Sequence, residues 1–375
     1  MQKTNSVKSV YIHIPFCKNI CSYCDFCKNL YNEKIVLNYL EALYREIKTS
    51  YKNEPIKTIY IGGGTPSVLS PNMLNKLFDI LKEINLCKIY EFTFECNYED
   101  ITESFLIKLK ENKVNRLSIG IQSFNRKFES ILKRKIDKEA MLEKINLAKK
   151  YFDNINLDLM YGFNTETIND LKSDLEEFIK LDIAHISTYS LILEENTKLY
   201  IDGYSPLNED MESNMYYEII SFLKNSGYTH YELSNFSKQG FESKHNLTYW
   251  NNEEYYGFGA GASGFINNIR YDNTKSVFNY INGKTRFYEE KLSLEQKIKD
   301  EVMLALRKVN GILKEDFINK YNYKIEDVFD VISLINAGYL EDDLKNVYIP
   351  SKYLFVSNEI IIKLIDSYHL NWILK

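Results

Sequence analysis

The chain alternates short apolar runs with longer amphipathic segments as far as residue 225, and this alternation constrains its fold more than any other feature. Six runs rich in β-branched and aromatic residues each precede a stretch with helical spacing. Strands that alternate with helices of this length form parallel βαβ units. The sequence therefore predicts an α/β fold whose strands are apolar on both faces beneath a cover of helices. The predicted strands are 10–14, 56–61, 89–94, 116–121, 155–159 and 185–191.

Helical patterns fill the intervals after these strands, and Ser70 before Pro71 is a predicted N-cap. After Gly227 the pattern changes to two strand-like pieces, 229–236 and 246–250, and from residue 292 it is helical again. We therefore expect two domains, an α/β domain over 1–285 and a small, mostly helical domain over 286–375. The predicted helices of the first are 33–48, 72–84, 103–112, 138–151, 167–181 and 210–225.

Six βα units can close into an open partial barrel or lie flat as a doubly wound sheet, and the strand pattern alone allows both. Either architecture places its chemistry in the loops after the carboxyl ends of the strands. Those loops are therefore where we expect the functional residues.

The charge balance excludes a general attraction to polyanions. Lysine and arginine number 47 against 52 aspartates and glutamates, which gives a net charge of −5. A chain with this balance has no overall pull toward nucleic acid or an anionic membrane, although peripheral membrane contact stays open. There is no signal-peptide pattern and no apolar run of about eighteen residues, so we expect a cytoplasmic protein without a transmembrane segment.

Four of the six cysteines fall together at Cys17, Cys21, Cys24 and Cys27, just after the first predicted strand. Such a cluster in a large chain indicates metal ligation or redox chemistry, not a disulfide framework. Zinc sites usually pair two short cysteine or histidine hooks, and no second hook follows. Iron–sulfur clusters accept several thiolates from one loop, so they fit this spacing better.

Two motifs together resemble a known superfamily. Cys17-x3-Cys21-x2-Cys24 lies between Tyr11-Ile-His-Ile-Pro-Phe and Asp25-Phe26, and Gly62-Gly-Gly-Thr-Pro66 follows the second strand. This pattern resembles the radical S-adenosylmethionine superfamily and its coproporphyrinogen-oxidase-like branch. The resemblance implies a partial (β/α)6 barrel with a small helical C-terminal domain. It also implies a [4Fe–4S] cluster held by Cys17, Cys21 and Cys24, whose fourth iron binds S-adenosylmethionine, and it leaves Cys27 as a spare thiol.

The same resemblance implies the S-adenosylmethionine contacts. All but the first lie at or beyond the carboxyl end of a predicted strand, where a charged residue has no packing reason to be. Two loops depart from the family pattern, at 132–136 and 162–164, which puts their shapes in doubt. The implied residues are Tyr11, Tyr23, Gly63, Gly64, Thr65, Glu95, Gln122, Arg134 and Asp158.

Two branches of the family compete. One is the oxygen-independent coproporphyrinogen III oxidase, a dehydrogenase that decarboxylates propionate groups through a 5′-deoxyadenosyl radical. The other is the HemW type, which binds haem as cargo and delivers it to acceptor proteins. The short leader, Phe26 in place of a second Cys-x-Cys residue, and His245-Asn-x-x-Tyr249-Trp250 favour the HemW type. The resemblance implies His245 as a candidate axial ligand, a role that suits imidazole.

Overall fold

The structure, a computed structural model, describes residues 7–369. The first six residues of the predicted leader lie outside the described residues. Seventeen strands are present in this range. In chain order they are β1 Ser9–Ile14, β2 Phe16–Cys17, β3 Asn29–Leu30, β4 Ile56–Gly63, β5 Leu86–Asn97, β6 Arg116–Gln122, β7 Asn154–Tyr161, β8 His185–Ser190, β9 Thr229–Glu232, β10 Asn235–Ser237, β11 Tyr255–Phe258, β12 Ser263–Ile266, β13 Ile269–Asn273, β14 Arg286–Lys291, β15 Ile312–Leu313, β16 Glu341–Asp342 and β17 Asn346–Tyr348.

Helices follow each of the long parallel strands, as predicted. The Ser70 hydroxyl accepts from the Met73 amide at 3.4 Å and Pro71 begins α2, which confirms the predicted cap. Within residues 7–369, none of the helices has the length and apolar character needed to span a membrane. The helices are α1 Glu33–Ser50, α2 Pro71–Leu81, α3 Glu103–Glu111, α4 Glu129–Leu132, α5 Lys138–Lys149, α6 Ile168–Lys180, α7 Lys198–Ile201, α8 Glu209–Asn225, α9 Lys244–Trp250, α10 Val277–Ile281, α11 Leu294–Ala305, α12 Lys314–Tyr321, α13 Val331–Asn336 and α14 Ser357–Asp366.

One large sheet organises the molecule. Its strand order is β14-β13-β12-β11-β1-β4-β5-β6-β7-β8-β10-β9, and the six predicted strands, β1 and β4 to β8, are parallel neighbours in chain order. On one edge β11 pairs parallel with β1 and β12 to β14 continue antiparallel, and on the other edge β10 and β9 are antiparallel. No ladder joins β9 to β14 within the described part of the chain. The predicted α/β fold with a large parallel sheet and a helical portion is confirmed.

The two faces of this sheet differ in polarity. In β1, Val10, Ile12 and Ile14 belong to the apolar core that the helices cover, while Tyr11 and His13 alternate with them on the other face. The strand register brings the polar residues of neighbouring strands into shared layers. The prediction of strands apolar on both faces is therefore wrong for the inner face, which is lined with hydroxyls, carboxylates, amides and imidazoles.

The segment predicted as a strand at 246–250 is helix α9, and that prediction is wrong. The Ser243 hydroxyl caps the helix by accepting from the Asn246 amide at 3.3 Å. The buried carboxylate of Glu91 accepts from the Lys244 and His245 amides, both at 3.0 Å. A long-range carboxylate at the first turn thus overrides the β propensity of Tyr249 and the residues around it.

The C-terminal part contains helices α11 to α14 and a small sheet of order β15-β17-β16. Strand β14 pairs with β13, so the large sheet continues past residue 285. The division into domains at 1–285 and 286–375 stays a prediction, and the pairing of β14 favours a boundary a few residues later.

Candidate functional site

The cysteine loop leaves the sheet at the carboxyl end of β1. Its two ends pair as the parallel strands β2 and β3, which fixes the loop at both sides. Cys17 is buried, Cys21 and Cys24 are half-buried, and all three carry free thiols. One short segment therefore presents three candidate thiolate ligands.

The three thiols lie close enough to influence one another. Burial raises the pKa of Cys17 to about 11, the Thr65 hydroxyl that donates to its sulfur at 3.7 Å lowers that pKa, and the thiols of Cys24 and Cys21 raise it. Over residues 7–369, no three histidine, cysteine, aspartate or glutamate side chains are gathered closely enough to hold a metal ion as they stand. The donor set fits a thiolate-bound cluster in its chemistry, and binding requires the loop to draw the sulfurs together and release their protons.

The glycine triplet after β4 packs directly against this loop. A Cβ atom at Gly64 would lie 2.8 Å from the backbone N and O of Phe16 and 2.9 Å from the Cys17 sulfur. Gly63 has φ +117°, and a Cβ atom there would lie 2.7 Å from the His13 ring. Thr65 follows and donates its amide to the Phe16 carbonyl oxygen at 2.8 Å. These positions require glycine, and they form a cradle of bare backbone beside the thiols.

Glu95, near the end of β5, reaches back to this cradle. Its Oε2 accepts from the Gly63 amide at 3.0 Å, and its Oε1 accepts from the Tyr60 hydroxyl at 2.7 Å. Burial raises the pKa of Glu95 to about 7, the Tyr60 hydrogen bond lowers it, and the Asp158 carboxylate raises it. The carboxylate is thus held in one orientation and changes charge close to neutral pH.

Tyr11 and His13 form a second polar pair on the inner face of β1. Burial lowers the pKa of His13 to about 4, so its imidazole is neutral. Its Nε2–H then donates to the Cys27 carbonyl oxygen at 2.9 Å, and its Nδ1 accepts from the Tyr11 hydroxyl at 2.9 Å. Through this pair β1 is tied to the far end of the cysteine loop.

Gln122 and Arg134 meet beyond β6. Arg134 donates to Gln122 Oε1 at 2.7 Å and to Glu99 Oε2 at 2.9 Å. Gln122 has φ +66°, a left-handed conformation that is uncommon outside glycine and turns the chain out of the strand. The pKa of Tyr23 is raised by burial and by the Cys21 thiol and lowered by Arg134, so Tyr23 is the residue of the cysteine loop that approaches this group.

Asp158, on β7, faces the space that borders the inner face of the sheet, the lumen. Its Oδ1 accepts from the side-chain amide of Asn156 at 2.8 Å, and burial raises its pKa to about 6. The Arg116 guanidinium lowers the pKa of both Asp158 and Glu95. Arg116 is only 2% exposed, and its Nε has no hydrogen-bond partner among the described residues. It therefore acts as a buried positive charge beneath the two carboxylates.

Cys27 does not face the other three thiols. Its sulfur donates to the Lys275 carbonyl oxygen at 3.0 Å, and a Cβ atom at Gly261 would lie 2.5 Å from its Cβ. The side chain thus packs against the strand extension that follows α9. Its surroundings distinguish it from Cys17, Cys21 and Cys24.

His245 lies apart from this group, toward the amino end of the sheet. It is 1% exposed, its Nδ1 is 2.8 Å from Thr58 Oγ1, and its Nε2 is 2.8 Å from the Tyr249 hydroxyl. Gly62 follows Thr58 by four positions along β4, which corresponds to roughly 13 Å of extended chain. Burial lowers the pKa of His245 to about 3, so the ring is neutral with both nitrogens engaged. Ligation of haem iron by His245 stays a prediction, and it requires one of these hydrogen bonds to break.

Apart from His245, every predicted site residue lies along the carboxyl half of the inner face or in the loops beyond it. Sequence reasoning missed Tyr60, His13, Arg116 and Glu99, which contact or polarise the predicted residues. Period-two alternation within the strands is the signal that could have found the first three, since each alternates with buried apolar residues.

Known proteins match both the sequence and the fold. The family described as the Radical SAM superfamily matches residues 11–178. A protein named heme chaperone HemW from Lactococcus lactis subsp. lactis (strain IL1403) is 40% identical, over 97% of this chain and 98% of its own. The protein of the same name from Bacillus subtilis (strain 168) is 38% identical, over 94% of this chain and 98% of its own.

The solved structure of coproporphyrinogen III oxidase (HemN) from Escherichia coli, described as a radical SAM enzyme, superposes with a TM-score of 0.83. It covers 96% of this chain and 90% of its own at 20% identity, so this similarity shows the fold alone. Fold and motifs together define the class as that of radical SAM proteins. Within that class, the chain belongs to the HemW family.

Proposed function

We propose that the protein is a haem chaperone that binds haem and delivers it to acceptor proteins. The observation that carries this proposal is the 40% identity, over 97% of the chain, to a relative named heme chaperone HemW. The haem-binding surface and the acceptor proteins are part of the proposal. A cytoplasmic location also belongs to it, because all six cysteines are free, as in a reducing compartment.

The proposal includes a [4Fe–4S] cluster on Cys17, Cys21 and Cys24 and S-adenosylmethionine beside it. When bound, a cluster held by three thiolates supplies one iron open to S-adenosylmethionine and a source of electrons. The separate packing of Cys27 supports the count of three ligands.

The chain's own residues then bind and orient S-adenosylmethionine. Gly63, Gly64 and Thr65 offer backbone groups where no side chain intrudes, and Glu95 offers a carboxylate braced on Gly63. The remaining proposed contacts lie on the inner face or in the loops beyond it. Arg134 donates to Gln122, while Tyr11 and Asp158 are hydrogen-bonded to His13 and Asn156. These contacts are Tyr11, Tyr23, Gln122, Arg134 and Asp158.

A second candidate function is oxygen-independent coproporphyrinogen III oxidase, an enzyme whose fold this chain shares. In that function Asp158 and Glu95 would face a porphyrinogen in the lumen. Ligation of haem iron by His245 stays a prediction, and both of its ring nitrogens are already hydrogen-bonded.

The test supplies the reduced, cluster-reconstituted protein and S-adenosylmethionine with haem or with coproporphyrinogen III in parallel. We expect a stable haem Soret band, transfer of haem to an apo-acceptor and no propionate decarboxylation. Multiple-turnover decarboxylation would replace the chaperone with the oxidase. Neither haem uptake nor decarboxylation would overturn both.

A further inference from the structure

Helix α9 is fixed to the amino end of the inner face by several independent contacts. Glu91 accepts from its first two amides, and Ser9 Oγ lies 2.9 Å from Thr248 Oγ1. His245 is buried and Tyr249 half-buried, and the two side chains contact each other, while His245 also contacts Thr58 on the inner face. Helix α9 therefore covers the inner face at its amino end.

From His245 a continuous set of contacts leads to the glycine cradle. The His245 ring lies on the Tyr60 ring, with centroids 5.2 Å apart and planes inclined by 33°. The Tyr60 hydroxyl donates to Glu95 Oε1 at 2.7 Å, and Glu95 Oε2 accepts from the Gly63 amide at 3.0 Å. Each contact leaves the next side chain one orientation.

Two aromatic neighbours restrain the Tyr60 ring. The His245 ring centroid lies 5.2 Å from it and the Tyr11 ring centroid 6.1 Å from it. Thr58 and Tyr249 hold the two nitrogens of His245, which fixes the ring that supports Tyr60. A half-buried phenol restrained in this way has its hydroxyl aimed at Glu95 before any ligand binds.

We infer that Tyr60 is a positioning residue, supported by His245, that orients the Glu95 carboxylate for S-adenosylmethionine. The inference rests on the proposed assignment of Glu95 to S-adenosylmethionine. The His-Asn-x-x-Tyr-Trp segment then has a role although it lies far from the thiols. Through Tyr60 it holds the Glu95 carboxylate beside Gly63. His245 then acts through Tyr60, and its effect on haem is indirect.

The first experiment measures S-adenosylmethionine affinity by equilibrium dialysis on the full chain with its cluster reconstituted under anaerobic conditions. Tyr60→Phe removes the hydroxyl and keeps the ring on His245. Loss of one hydrogen bond to a carboxylate should weaken binding about tenfold. Tyr228→Phe is the matched control, because its hydroxyl donates to the Ile183 carbonyl oxygen at 2.8 Å and contacts neither Glu95 nor helix α9. Its affinity should stay within about twofold of the wild type.

His245 provides the second pair of variants. His245→Phe keeps a ring against Tyr60 and loses both nitrogens, whereas His245→Ala loses the ring. We expect His245→Ala to weaken S-adenosylmethionine binding about as much as Tyr60→Phe, and His245→Phe to weaken it less. Haem uptake, followed by the Soret band, should stay unchanged in both variants.

A pH series separates positioning from a loss of folding. The Tyr60 hydrogen bond stabilises the ionised Glu95, so Tyr60→Phe should move the pH midpoint of S-adenosylmethionine binding upward. An affinity within twofold of the wild type at every pH, with full iron content, would refute the inference. Loss of the Soret band in both His245 variants with normal S-adenosylmethionine affinity would make His245 an iron ligand instead. If Tyr60→Phe loses its iron, the two His245 variants test the inference instead. Weaker S-adenosylmethionine binding in His245→Ala than in His245→Phe supports it, and equal affinities refute it. Failure of the wild type to take up haem would refute the proposed chaperone function and would not affect the inference about Tyr60.

Discussion

The two ends of the lumen are both lined with polar groups, but they differ in how many of those groups have hydrogen-bond partners within the protein. At the carboxyl end, three thiols have no disulfide partner, and glycine backbone is bare beside them. At the amino end, Glu91 accepts two helix amides and His245 engages both ring nitrogens. A polar group with spare bonding capacity is available to a ligand, whereas one whose bonds are complete contributes stability and orientation.

This difference teaches that polarity alone does not mark a binding site. Glu91 on β5 and Asp158 on β7 are both carboxylates on the inner face of one sheet. Burial raises the pKa of Asp158 to about 6, and one amide holds it. Glu91 caps a helix. Replacing a thiol at the carboxyl end should therefore change ligand binding, whereas replacing Glu91 at the amino end should change stability.

The largest effect should come from the thiols. Cys21→Ala removes one of three proposed ligands, so reconstituted protein should lose most of about four irons. Cys27→Ala is the matched control, since its thiol donates to the Lys275 carbonyl oxygen and should keep its iron. Iron analysis and the visible absorption of the cluster provide the measurement. Equal loss in both variants would contradict the division into three ligands and one packed thiol.

Glu91→Ala should affect stability and leave iron content unchanged. It leaves the amides of Lys244 and His245 without their acceptor, which should lower the free energy of unfolding by about 3 kcal/mol. Urea denaturation measures this, and Glu242→Ala in the loop before α9 should change it by less than about 0.5 kcal/mol. A stable Glu91→Ala protein that has lost its iron would reverse the roles of the two ends.

The fold was largely predictable because its information is local. Each of the six parallel strands carries its own β-branched run, and the Ser70-Pro71 cap marks the start of α2 within the sequence itself. Helix α9 was not predictable, since its first turn depends on Glu91, which lies far away in the chain.

The candidate site was predictable where residues sit in contiguous motifs. The spacing of the cysteines and of Gly62 to Thr65 is visible in the sequence, and the structure places Cys17 against Gly64 and Thr65. Tyr60 was missed because its partner Glu95 lies on the next strand, and only the strand register brings the two together. Contacts of this kind depend on tertiary pairing, which a single sequence does not display.

Two glycines of the triplet should separate the effects at the carboxyl end. A Cβ atom at Gly62 would lie 2.7 Å from the Glu95 carboxyl group, so Gly62→Ala should displace that group and weaken S-adenosylmethionine binding about tenfold. Gly64→Ala instead presses on Phe16 and the Cys17 sulfur, and should lower iron content. Equilibrium dialysis and iron analysis on both variants check this. The same defect in both would show that the triplet acts as one unit.

The affinity for S-adenosylmethionine should also depend on pH. The pKa of Glu95 is about 7, so about a tenth of it is ionised at pH 6 and about nine-tenths at pH 8. If the carboxylate form binds S-adenosylmethionine, affinity should rise up to about tenfold between these values and then level off. Stability runs the opposite way. A raised pKa stabilises the fold below the unfolded value near 4.5, and that contribution is lost as the pH rises through 7.

Arg116 contributes to the position of this midpoint. Its charge lowers the pKa of Glu95 and of Asp158, so Arg116→Gln should raise both pKa values and weaken binding roughly threefold at pH 7. Arg116→Lys keeps the positive charge and should retain a midpoint closer to the wild type. Binding curves at pH 6, 7 and 8 for both variants provide the check. An unchanged midpoint in Arg116→Gln would mean that Glu95 does not titrate in the binding step. Glu95 would then act at the carboxyl end through its fixed orientation on Gly63 and Tyr60 and not through a change of charge.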